Sequence, residues 1–69
     1  MYIVIELQTT NGQTANIVQT KDTKEEAMSA FHTIMAAAAI SSVEYHACIV
    51  ADRTGRVLAR ECYEHIITN

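Results

Sequence analysis

One helical segment set between two β-rich arms is the feature that most limits how this chain can fold. The segment is DTKEEAMSAFHTIMAAAAISS, residues 22 to 42. Asp22 or Thr23 can cap it, because each has a glutamate three residues on, Glu25 or Glu26, that can reach back in a capping box. The same glutamates sit in the first turn, where the helix dipole favours negative charge. The pattern predicts a helix from about Thr23 to Ile40, ended by Ser41, Ser42 and the β-branched Val43.

Before the helix, YIVIELQTT (residues 2–10) and QTANIVQT (residues 13–20) are rich in β-branched residues and predict two strands joined at Asn11-Gly12. Two registers compete for this hairpin. A two-residue Asn-Gly loop sets Ile5 opposite Val18 but Leu7 opposite Asn16. A three-residue Thr10-Asn11-Gly12 loop with a glycine bulge pairs Ile5 with Ile17, Leu7 with Ala15 and Val4 with Val18. The second matches like with like and is the predicted one, since a slip of one residue would turn every side chain to the other face.

After the helix, residues 43–51 and 56–66 predict another hairpin, closed by Asp52-Arg53-Thr54-Gly55 in a type I turn with a glycine bulge. The element order is β-β-α-β-β. It predicts an α+β fold in a single domain over residues 1–69, an antiparallel four-stranded sheet with one helix packed on one face. The pattern leaves open which face the helix covers.

The chain has more apolar surface than this arrangement covers. On a helical wheel Ala27, Ala30, Phe31, Ile34, Ala37 and Ala38 form the stripe predicted to meet the sheet. Met28, Met35 and Ala39 make a second lane, and after Met35 the back of the helix is Ala36 and Ile40. The strands repeat the surplus, because Ile3, Ile5 and Leu7 point one way while Tyr2 and Val4 point the other. A chain of 69 residues has a marginal core and needs a supplement. We therefore expect a dimer or higher homo-oligomer, with Met28, Met35, Ala36, Ala39 and Ile40 at its interface.

Composition narrows the function classes. The two cysteines, Cys48 and Cys62, are too few for a disulfide scaffold, and a reducing cytosol is the expected compartment. Glu6 breaks the apolar N-terminal run and no basic residue precedes it, so neither a signal peptide nor a membrane span is expected. The net charge of −3 disfavours nucleic acid as a partner. No cofactor motif is present.

Candidate chemistry is sparse. If the second hairpin closes over Arg53-Thr54-Gly55, His46 faces Cys62 with Cys48 two residues along. Those three are metal-ligating types, and His46 with Cys62 also forms a thiol-histidine pair, but small half-buried cysteines in strands more often pack than ligate. Arg53, Thr54 and Arg56 at the turn are candidates for gripping a small anionic ligand or a partner's carboxylates. Tyr45 and Tyr63 are expected to face each other, as core or as a binding pair.

Taken whole, the chain resembles a group of small proteins of gut Firmicutes and their phages and mobile elements. The resemblance rests on MYIVIELQT, NGQTAN, FHTIMAAAAISSVEYH and ECYEH. It implies no activity, cofactor or functional residue. By analogy of class with phage inhibitors, the sequence suggests a non-enzymatic binding module that occupies a host protein or sequesters a small ligand. A self-assembling accessory protein and a small thiol or metal enzyme are the alternatives.

Overall fold

The computed structural model describes residues 1–66 of the chain. In chain order the elements are β1 (Tyr2–Thr10), β2 (Gln13–Lys21), α1 (Lys24–Ala39), β3 (Tyr45–Asp52) and β4 (Val57–Glu64). The four strands form one antiparallel sheet in the order β2-β1-β3-β4 with a single helix, the α+β fold that the pattern predicts. No helix among the described residues is long and apolar enough to cross a membrane.

The first hairpin takes the two-residue turn, against the predicted register. Asn11 and Gly12 have φ of 54° and 76°, the left-handed pair that a type I′ turn requires. Ile5 therefore lies opposite Val18 and Leu7 opposite Asn16. Matching like with like misled because β2 is an edge strand with no buried residue. Apolar matching has little energetic weight there, and the turn sets the register.

The second hairpin starts as predicted. Asp52 N donates to Arg56 O, Gly55 N donates to Asp52 O, and Gly55 has φ of 89°. A β-bulge then intervenes: Ala51 pairs with Val57 but Val50 pairs with Ala59. Such a bulge adds one residue to a strand. Leu58 and Ala59 both pack on the core, and every later β4 side chain faces opposite to the unbulged register.

β2 and β3 run parallel on either side of β1, which makes α1 a crossover between them. Crossovers of this kind are almost always right-handed. That hand fixes the face α1 covers, the one carrying Val4, Cys48 and Val50. These three meet Ala27, Phe31, Met35 and Ala38 of the helix, with Tyr2, Met28, Ile34 and Leu58 around them. Thr23 is the N-cap; its Oγ1 accepts from Glu26 N at 3.1 Å and donates to Glu26 Oε1 at 3.2 Å.

The helix is rotated from the wheel's prediction. Met35, placed in the oligomer lane, is 7% exposed in the chain's own core, whereas Ala37, placed in the core stripe, is exposed. After Met35 the sequence is apolar all round, so the wheel has no polar side to fix its direction, and the larger side chain takes the interior. Met28 is half-buried against the core. Ala36, Ala39 and Ile40 stay exposed, Ile40 at 89%.

Candidate functional site

Strand alternation sends Ile3, Ile5 and Leu7 to the face of the sheet that α1 does not cover. The registers set Val18 of β2, Ile49 of β3 and Val57 of β4 on that same open face. The richer apolar side of β1 thus points away from the helix, while the covered side carries Val4, Glu6 and Gln8. A single helix cannot shield both. Toward β4 the open face dips into a depression of about 360 Å³ bounded by Leu7, Ala47, Ile49, Arg60, Glu61 and Cys62.

On the covered face half-buried polar residues form one connected chain through the buried His46. His46 Nε2 donates to Glu6 Oε2 at 2.6 Å, and Gln8 Nε2 donates to the same oxygen at 2.9 Å. His46 Nδ1 lies 3.1 Å from Ser41 Oγ, which in turn donates to the Ala38 carbonyl at 3.1 Å. That carbonyl also accepts from Ser41 N at 3.2 Å and from His65 Nε2 at 2.8 Å. His65 N donates to Glu44 O at 2.7 Å. Among the described residues no buried side-chain nitrogen or oxygen lacks a partner.

Ser41, His46 and Glu6 are the residue types of a hydrolytic triad, in hydrogen-bonded order. Their place in the fold opposes that chemistry. Ser41 follows the C-terminus of α1, where the helix dipole is negative and disfavours a developing oxyanion. The last turn of α1 carries no lysine or arginine. Ser41 and His65 supply the donors its terminal carbonyl needs, so the chain acts as a C-terminal lock joining α1, β1, β3 and the segment after β4.

The bulge in β4 takes apart the other predicted groupings. His46 pairs with Tyr63, Ala47 with Cys62 and Cys48 with Glu61. Cys62 is therefore on the open face while His46 and Cys48 are buried beneath α1. The candidate metal or thiol-histidine grouping of His46, Cys48 and Cys62 is not assembled, and among the described residues no three metal-ligating side chains come together. Tyr45 and Tyr63 lie on opposite faces, not against each other. Tyr63 instead stacks on His65 with ring centroids 6.4 Å apart.

At the turn, Asp52 occupies the donors that an anion would need. Its Oδ1 accepts from Thr54 N at 2.8 Å, Thr54 Oγ1 at 2.5 Å and Arg56 N at 3.1 Å. The Thr54 hydroxyl first, then those backbone N–H groups and the Arg56 charge, hold the Asp52 carboxyl below its ordinary range. Arg53, Thr54 and Arg56 are exposed, but the turn is already closed around an internal carboxylate.

The two free thiols differ sharply. Burial, and then the negative charge of Glu6, push the Cys48 thiol up, away from the reactive thiolate. Cys62 is exposed. Labelling the folded protein with a maleimide should therefore modify Cys62 alone, with Cys48 reacting only after denaturation, as peptide mass spectrometry would show. Rapid native labelling of Cys48 would contradict the packing of α1 on β3.

Sequence reasoning missed Glu6, Gln8, Ser41 and His65. Glu6 gave the one usable signal, since a charge within an apolar strand needs a partner if its face is covered. No protein-family model, curated protein or solved structure matches this chain.

Proposed function

We propose that this chain is a small non-enzymatic binding module that works as a homo-oligomer, with a second copy covering the open sheet face. The assembled protein then occupies a host protein or sequesters a small ligand, in the manner of phage inhibitors. The observation that carries this reading is the outward placement of Ile3, Ile5 and Leu7 beside Ile49 in a domain whose helix α1 is on the other side. Antiparallel sheets that face water normally turn polar residues to it. Strands spaced about 4.8 Å apart and rising about 3.3 Å per residue give a footprint of roughly 500 Å² per copy. Two such faces bury roughly 1,000 Å², the size at which a specific interface begins.

Stacking two sheets by their open faces places the helices outside, an order in which every apolar layer is covered on both sides. Light scattering coupled to size exclusion tests this directly. The wild-type mass should be a multiple of the 7.6 kDa chain, and Leu7→Arg, which puts a charge in the centre of the face, should lower it while the circular dichroism spectrum stays folded. Maleimide labelling of Cys62 should slow as protein concentration rises. A monomer at high micromolar concentration would overturn the proposal. Native mass spectrometry of protein purified from cells then shows whether a ligand or a host protein travels with the assembly.

A further inference from the structure

We infer that the free edge of β2 is a second junction between copies, in which two β2 strands pair antiparallel about a two-fold axis normal to the sheet. The inference extends the homo-oligomer reading but uses a different surface, and it rests on a difference between the two edges. Exposed edges invite pairing with another chain, and proteins guard them with charges, prolines and bulges. β4 is guarded by its bulge at Leu58 and by Arg60, Glu61 and Glu64. β2 is not. From Gln13 to Thr20 it has no charge and no proline, its register with β1 is unbroken, and Ile17 and Val18 are 51% and 56% exposed.

The backbone groups are in position. Thr10 and Gln13 close a two-residue turn and so exchange both hydrogen bonds, which gives the odd-numbered residues of β2 to β1. Thr14, Asn16, Val18 and Thr20 turn their N–H and C=O groups to the free edge along a strand about 30 Å long.

The strand also fits itself. Centred on Ile17, the two-fold register sets Ile17 against Ile17, Asn16 against Val18, Thr14 against Thr20, and Lys21 against the uncharged Gln13. No like charges are opposed, and side chains that meet lie on the same face. α1 packs mainly on β3 and β1, so the second copy's helix finds the β2 side clear. The edge axis is normal to the sheet, whereas the axis relating stacked open faces lies between the sheets. Where the two cross at right angles they close a four-chain assembly with no β2 edge exposed.

Sedimentation velocity on folded variants separates the two junctions. Wild type should sediment at the mass of four chains. Ile17→Lys, on the covered face, sets two lysines against each other across the axis and should halve the mass. Val18→Lys, on the open face at the same edge, charges both junctions and should lower the mass at least as far, while Leu7→Arg should halve it by the other route. In a Cys62→Ser background, Ile17→Cys should form a disulfide-linked dimer on mild oxidation, because the paired residue is its own counterpart at close range. If both lysine variants keep the wild-type mass and Ile17→Cys does not cross-link, the edge junction is wrong, whatever Leu7→Arg does. If the lysine variants lower the mass and Ile17→Cys cross-links while Leu7→Arg changes nothing, the edge stands and the stacked-face reading falls.

Discussion

Ala38→Glu should leave no folded protein, whereas Ala39→Glu, one residue away in the same alanine run, should fold normally. Ala38 has no exposed surface and packs among Phe31, Met35 and Cys48 in the core. A glutamate there brings an unpaired carboxylate into the apolar cluster beneath the helix. Burying a charge without a partner costs several kcal/mol. Stability of about 0.05–0.15 kcal/mol per residue gives a domain of this length roughly 3–10 kcal/mol in total. Loss of the thermal unfolding transition and of the helical signal is the expected result. At Ala39 the side chain meets solvent, and the only cost is a negative charge near the helix C-terminus, about 0.3–1 kcal/mol. Its oligomeric mass should match wild type if the copies join through the sheet; a lower mass would restore Ala36, Ala39 and Ile40 as the interface.

The contrast explains the four consecutive alanines. Once Met35 turns into the core, Ala38 lets the last turn of α1 approach β3 closely, while Ala36, Ala37 and Ala39 maintain the helix at the lowest conformational cost. The same small side chains made the rotation of the helix unreadable. A wheel locates the buried side by contrast with polar residues, and residues 36 to 40 offer none.

The order of elements, the N-cap and both turn positions were legible because each rests on local chemistry: Thr23 with Glu26, Asn11-Gly12, and Asp52 with Gly55. What failed was parity. One residue separates the predicted first hairpin from the observed one, and one bulged residue at Leu58 reverses the facing of all that follows in β4. Parity decides which side chains share a face, so the β4 bulge dispersed the His46–Cys62 and Tyr45–Tyr63 groupings, and the slip in the first hairpin hid which face α1 covers. The Asn11-Gly12 turn contained the missing information. Given its type I′ register, the right hand of the β2-α1-β3 crossover assigns α1 to the face of Val4 and Glu6.

Glu6→Ala should destabilise the domain more than Glu6→Gln, and the difference measures what the buried polar chain contributes. In the wild type the Glu6 carboxylate accepts from His46 and from Gln8, with side-chain exposures of 6% for His46 and 15% for Glu6. Alanine leaves His46 Nε2 and the Gln8 amide without an acceptor below the helix end. Leaving a buried donor unsatisfied costs about 1–3 kcal/mol, and alanine leaves two, a large share of the stability of so small a domain. Glutamine keeps an acceptor oxygen for His46 and loses only the charge, so its cost should stay within about 1.5–3 kcal/mol, the range of a charge-assisted hydrogen bond. Ser41→Ala, which removes the link between His46 and the Ala38 carbonyl while His65 still donates to that carbonyl, should cost least. Urea denaturation of the three variants should rank Ser41→Ala, Glu6→Gln and Glu6→Ala in order of increasing loss. The reverse order for the two Glu6 variants would mean that the carboxylate strains the core, and that the polar chain does not lock α1 to the sheet.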